Sequence, residues 1–140
     1  MKKISICIPV LNEEKNIENT YKKIKNIFTS ELKEYEYEFL FTDNDSSDQT
    51  EEILTKICNE DKKVKYVRFR SNLDYDKSIL EGYKHCTGDA AIVIDCDLQD
   101  PPELFADFIR KWQEGYDLVY GIVNSRQESF LQNNLRKIYY

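Results

Sequence analysis

The chain has 140 residues, 33% charged and 41% hydrophobic, with a formal net charge of −6 and a pI near 4.9. That acidity argues against a nucleic-acid binder, because phosphate backbones need a basic stripe and the sequence has none. No apolar run approaches the roughly 18 residues of a membrane span. Met1-Lys2-Lys3 leads at once into a strand-like run too short for a signal-peptide core, so these residues read as soluble and not exported.

Ile4 to Val10 is short, β-branched and stopped by Pro9, which predicts a buried strand. Asn12-Glu13-Glu14 reads as a helix start, with a capping residue followed by acids. Ile17, Tyr21, Ile24 and Phe28 then recur at helical spacing. Residues 29–36 form an acidic connector, and Tyr37 to Asp43 a second strand. In the turn that follows, Asp48 and Glu51 have the spacing of a capping box for a helix with Ile53, Leu54, Ile57 and Cys58 inward. Val64 to Arg70 alternates as a third strand. A third helix is expected from about Asp76 to His85, with Ile79, Leu80 and Tyr83 inward and Gly88 as a left-handed cap. Ala90 to Asp95 is the fourth strand. Pro101-Pro102 opens a helix with Leu104, Phe105, Phe108, Ile109 and Trp112 on one face, closed by Gly115. Tyr116 to Gly121 reads as a fifth strand, and the tail to Tyr140 as polar, then mildly amphipathic.

Alternating strands and helices predict an α/β fold with a mostly parallel sheet and right-handed crossovers. The four cysteines, Cys7, Cys58, Cys86 and Cys96, form no C-x-x-C pair, and His85 is the single histidine. A zinc site is therefore not expected, and the thiols read as reduced core residues of a cytosolic protein.

In parallel sheets ligands bind beyond the carboxyl ends of the strands. Acids gather at three such ends: Glu13 and Glu14, Asp43 and Asp45, Asp95 and Asp97. If the fourth strand persists, Asp95, Asp97 and Gln99 share one face, and three oxygen donors there suit a hard divalent cation. The first strand–helix turn, Pro9 to Glu14, lacks the G-x-G-x-x-G that cradles a dinucleotide, and a Walker motif is also absent. A phosphate is then expected to be held through a cation.

Three motifs carry a resemblance. They are Ser5 to Glu14 (S-I-C-I-P-V-L-N-E-E), Thr42 to Thr50 (T-D-N-D-S-S-D-Q-T), and Gly88-Asp89 leading into Asp95 to Glu103 (D-C-D-L-Q-D-P-P-E). Together they resemble the N-terminal half of a family-2 glycosyltransferase of the GT-A fold, near the dolichyl- and undecaprenyl-phosphate sugar transferases. The likeness runs from Ile4 to about Arg136. It implies a three-layer α/β/α, Rossmann-like GT-A architecture, with residues 1–140 forming the nucleotide-sugar-binding part of that domain. It also implies site residues. Pro9, Leu11 and Glu13 would line the nucleoside pocket, and Asp43 would meet the base or ribose. Asp95, Asp97 and Gln99 would hold Mg²⁺ or Mn²⁺ against the diphosphate, with Asp95 also on the donor, and Arg126 would meet phosphate.

The implied activity is metal-dependent, inverting transfer from a UDP- or GDP-linked sugar to a polyprenyl phosphate or a glycan. A non-catalytic sugar-nucleotide-binding module is the alternative. The family's acceptor half, its catalytic carboxylate and any membrane contact are expected beyond Tyr140. The expected setting is the cytoplasm or the cytoplasmic face of the membrane, with a homo-oligomer left open. The sequence departs from the family at Asn44, where a second acid is usual, and at Leu73-Asp74-Tyr75, where F-G and a basic residue are usual. Val123 and Asn124 stand where arginines are usual.

Overall fold

A computed structural model describes residues 1–122. These divide into two compact units, residues 1–107 and a second beginning at Phe108.

The first unit is built on a four-stranded, all-parallel sheet. Its strands are β1 (Lys3–Val10), β2 (Glu36–Asp43), β3 (Val64–Arg68) and β4 (Ala90–Val93), in the order β3-β2-β1-β4. Helices α1 (Ile17–Ser30), α2 (Thr50–Glu60) and α3 (Tyr75–His85) make the crossovers. β1 lies between β2 and β4, with Ile6 opposite both Phe39 and Ile92. Its Ile4, Ile6 and Ile8 are fully buried, as are Phe39 and Phe41 of β2. Near-continuous apolar strands are what a sheet covered on both faces requires.

The covering layers can be read from β2. Tyr37 packs on Phe28 and Phe39 on Tyr21, so this side of β2 faces α1. The neighbouring position Thr42 meets Ser78 of α3, its hydroxyl 3.3 Å from that of Ser78. Alternation along the strand therefore sets α1 and α3 on opposite faces, giving three layers. The chain goes from β1 outward through β2 to β3 and then returns to the other side of β1. That reversal opens a crevice at the carboxyl ends of β1 and β4.

Several expectations are corrected. α1 begins at Ile17, after a turn in which the Asn16 and Ile17 amides donate to the Glu13 carbonyl; Asn12 has φ of 57° and is not the cap. The capping box before α2 does not close: Asp48 accepts the Thr50 amide, but Glu51 turns to Arg68. The sheet-facing side of α3 is Ser78 and Gly82, while Leu80 is 58% exposed and Tyr83 is also exposed. A Cβ on Gly82 would lie 2.5 Å from Cys7 Sγ, so α3 rides too close to the sheet for a large side chain there. Gly88 is not left-handed. A side chain at Gly88 would meet the Lys3 carbonyl and Ser5 at 2.8 Å, and its amide donates to Ser5 Oγ.

A 3₁₀ turn (Pro102–Leu104) leads into α4 (Phe105–Gln113), which begins in the first unit and ends in the second. In the first unit Phe105 lies beside Phe28. In the second, Gly115 takes φ of 101° two residues after the helix, as expected of a helix-ending glycine. The strand expected over Tyr116–Gly121 does not form. A strand needs a hydrogen-bonded neighbour, this segment is not one of the sheet's four strands, and Leu118 is 78% exposed. Among the described residues no helix is long and apolar enough to cross a membrane. The expected amphipathic tail lies outside the described residues.

The amino ends of the strands are tied by one buried carboxylate. Glu38 is 3% exposed and accepts from the Lys3 ammonium (2.8 Å), the Ser5 hydroxyl (2.7 Å) and the Thr87 amide (2.6 Å), with Lys65 at 3.2 Å. Burial opposes its ionisation, but these donors outweigh it and bring its pKa down to about 2. A depressed carboxylate pKa contributes stability that is complete above the unfolded value of 4.5 and is lost as pH falls toward 2. Glu38→Gln should therefore cost about 2 kcal/mol at pH 7, with wild type and variant converging in urea melts between about pH 4.5 and 2. Equal midpoints at pH 7 would refute this role.

Candidate functional site

The loops after β1 and β2 are stitched to each other. The amides of Asn12, Glu13 and Glu14 donate to Ser46 Oγ (2.8 Å), Thr50 Oγ1 (2.9 Å) and Asp48 Oδ2 (3.1 Å). In return the Ser47 amide donates to Asn12 Oδ1 (2.8 Å) and the Gln49 amide to Glu14 Oε2 (3.1 Å). The left-handed backbone at Asn12 and Asp45 (φ 57° and 68°) lets the two loops face each other.

Beside this pair of loops lies a cleft of about 370 Å³. Pro9, Leu11, Glu13, Asp95 and Asp97 all line it, so the structure brings together five of the residues marked in the sequence. Asp95 accepts the Tyr75 hydroxyl at 2.6 Å, and Asp97 Oδ1 accepts the Gln99 amide at 3.0 Å. Glu13 accepts the Asn16 side-chain amide at 2.6 Å.

Two marked residues are elsewhere. Asp43 does not line the cleft. Its side chain is 0% exposed, accepting the Ser46 amide at 3.0 Å and the Arg68 guanidinium at 3.3 Å. Arg68 also reaches Glu51 at 2.6 Å and the Ser46 carbonyl at 2.9 Å. Gln99 is exposed and outside the cleft lining. The expected sharing of one face by Asp95, Asp97 and Gln99 fails because the ladder ends at Val93 and Leu98 turns the backbone to φ 57°. Arg126 lies outside the described residues.

The cleft also contains residues that the sequence did not mark for it: Asn44, Asn72, Leu73, Tyr75, Ser78 and Cys96. Asn44 and the 72–75 stretch were visible only as departures from a pattern. Ser78 was hidden because the close approach of α3 could not be read from periodicity.

The cleft is electronegative, and its neighbours register it. Burial raises the Cys96 thiol to about 12, with the charges of Glu13, Asp97 and Asp95 adding to the effect. Burial, the hydrogen bond to Asp95 and the nearby acids push the Tyr75 phenol well above its ordinary value. Among the described residues no lysine or arginine lines the cleft. Two carboxylates facing a wet cleft suit Mg²⁺ or Mn²⁺, which commonly keeps water and substrate phosphate as its other ligands. Among the described residues no three His, Cys, Asp or Glu side chains converge on one point. A wider depression of about 570 Å³ runs along α3, but its Lys77 and Lys84 are paired with Asp74 and Glu81.

Residues 5–140 match the model of the family described as Glycosyl transferase family 2. The chain belongs to that family. It is 39% identical over 137 residues to the uncharacterized glycosyltransferase YkcC of Bacillus subtilis (strain 168), covering 97% of this chain and 42% of that protein. It is 42% identical over 117 residues to the prophage bactoprenol glucosyl transferase homolog of Escherichia coli (strain K12), covering 84% of this chain and 38% of the relative. The chain thus spans less than half the length of these curated relatives. Among solved structures it resembles the mannosyltransferase PcManGT from Pyrobaculum calidifontis in complex with GDP-Man and Mn²⁺, with a TM-score of 0.65 at 18% identity, over 78% of this chain and 32% of that one. It also resembles the Mycobacterium tuberculosis glucosyl-3-phosphoglycerate synthase with Mn²⁺, UDP and phosphoglyceric acid, with a TM-score of 0.59 at 22% identity, over 83% and 40%. These likenesses establish the glycosyltransferase fold.

Arg68 compensates a carboxylate that has no access to water. Arg68→Met should cost about 3 kcal/mol in denaturant unfolding, because removing one partner strands a buried charge. Adding Asp43→Asn to that variant should recover part of the loss. A single variant as stable as wild type would show that Asp43 is neutralised some other way.

Proposed function

We propose that the full-length protein is a metal-dependent, inverting glycosyltransferase. It would transfer a sugar from a UDP- or GDP-linked donor to a polyprenyl phosphate. The observation that carries this reading is the placing of Asp95, Asp97 and Glu13 along one cleft that no lysine or arginine among the described residues lines, at the reversal point of the sheet. The relatives named as bactoprenol glucosyl transferases support a lipid-phosphate acceptor, and so a place at the cytoplasmic face of a membrane.

In this reading Pro9 and Leu11 provide the apolar wall for the base, and Leu11 is exposed enough to meet it. Asp43 acts on nucleoside recognition through the Ser46 turn that it fixes. Asp95 and Asp97 hold the cation, and the Tyr75 hydroxyl fixes the orientation of the Asp95 carboxylate. Gln99 joins through its amide, which orients Asp97, and its side chain is a candidate outer ligand. Arg126 is a candidate phosphate contact. The bound cation supplies countercharge to the leaving nucleoside diphosphate. The acceptor attacks the anomeric carbon from the opposite side. A lipid phosphate, with a second pKa of about 6, is already ionised at pH 7 and needs no general base from this chain.

Calorimetric titration of UDP and GDP with and without Mn²⁺ tests the proposal. Binding should require the metal and fall at least about tenfold in Asp97→Ala, the loss expected from removing a charged ligand. Metal-independent binding that ignores Asp97→Ala would overturn the metal assignment and favour a plain binding module.

A further inference from the structure

In the loop between β3 and α3 the Phe69 amide still donates to the Asp43 carbonyl, and farther on Asn72 and Leu73 form one wall of the cleft. Asn44, 8% exposed, holds it. Its side-chain NH₂ donates to Asn72 Oδ1 (2.9 Å) and to the Leu73 carbonyl (2.8 Å), and its Oδ1 accepts the Leu73 amide (2.6 Å). Both amide protons and the oxygen are used, so the network fixes which way the carboxamide points. Leu73 has both of its backbone groups satisfied by this one side chain. Two residues later Tyr75 opens α3 and donates its hydroxyl to Asp95 at 2.6 Å.

We propose that Asn44 is a positioning residue of the cleft, pinning Asn72 and Leu73 so that Tyr75 is held against Asp95. The inference rests on the proposed donor site, because Asp95 is the group being oriented. The chemistry at position 44 is specific to an amide. A carboxylate has the same shape but no donor, and would face two acceptor oxygens, Asn72 Oδ1 and the Leu73 carbonyl. The asparagine that replaces an acid in the Thr42 to Thr50 motif is thus a working part of a different wall.

Asn44→Ala, Asn44→Asp, Tyr75→Phe and the Asn44→Asp/Tyr75→Phe double variant test this in the full-length protein. Hydrogen exchange should show the Leu73 amide protected in wild type and in Tyr75→Phe, and at least tenfold faster in Asn44→Ala, which removes the acceptor that a carboxylate would keep. UDP or GDP affinity in the presence of Mn²⁺ should fall about tenfold in Asn44→Asp, the scale of one or two lost hydrogen bonds. In turnover assays KM for the donor should rise while kcat changes little. The double variant should bind no worse than the weaker single variant, because both act through the Asp95 contact. Unchanged Leu73 exchange in Asn44→Ala overturns the clamp whatever the nucleotide does. Faster exchange with unchanged affinity, or additive losses in the double variant, overturns the link through Tyr75. Wild type that binds neither nucleotide overturns the donor site itself, and the exchange result still decides on the clamp.

Discussion

The hydrogen bonds between the loops after β1 and β2 constrain what the site can be. In a dinucleotide fold, glycines in the first strand–helix turn leave backbone amides free to hold a phosphate. Here the amides of residues 12–14 are already committed to Ser46, Thr50 and Asp48. An amide that donates to a side chain is not available to an anion. The first turn is therefore closed to phosphate by its own hydrogen bonding as well as by its lack of glycine. The charged side chains that line the cleft among the described residues are carboxylates, and a carboxylate meets a diphosphate favourably only across a cation.

The same stitching fixes the floor on which the rest stands. Asp43 and Arg68 sit under the second loop, and the Ser46 amide and carbonyl are held by one each. Ser46 in turn accepts the Asn12 amide. A buried carboxylate, a half-buried guanidinium and a serine thus set the height of the β1 loop, which presents Leu11 and Glu13. On the opposite layer the close ride of α3 on Cys7 and Thr42 sets where its first residue, Tyr75, can reach. Small residues at positions 78 and 82 are the condition for that approach. A bulkier inward face would lift the helix and take the Tyr75 hydroxyl from Asp95.

Much of this could be read from the residues. A β-branched run marks β1, apolar runs mark β2 and β4, alternation marks β3, and helical spacing marks all four helices. Five of the marked residues line one cleft because the carboxyl ends of parallel strands lie on the same side of the sheet. The failures have a common cause in contacts that periodicity does not encode. Gln99 was assigned to the face of Asp95 and Asp97 by a strand rule, but Leu98 enters the left-handed region and ends the alternation. Leu80 and Tyr83 were set inward by hydrophobicity, whereas Gly82 and Ser78 are inward by closeness. Tyr116 to Gly121 has the composition of a strand without a partner in the described sheet. Asn44 read as a missing acid, since a sequence shows the residue type but not the two oxygens it faces.

The distribution of charge separates the two ends of the sheet. At the amino end Glu38 is surrounded by Lys3 and Lys65, and on the helical layer Asp61 pairs with Lys25 at 2.7 Å. Even the buried Asp43 has Arg68. Glu13, Asp95 and Asp97 alone face a common cleft, and among the described residues none of them has a lysine or arginine partner. Their hydrogen bonds come from neutral donors: an asparagine, a tyrosine and a backbone amide. Neutral donors orient a carboxylate without cancelling its charge. Stability alone would favour a cationic partner beside such acids. Keeping these acids oriented but uncompensated makes sense where the missing positive charge arrives with the substrate.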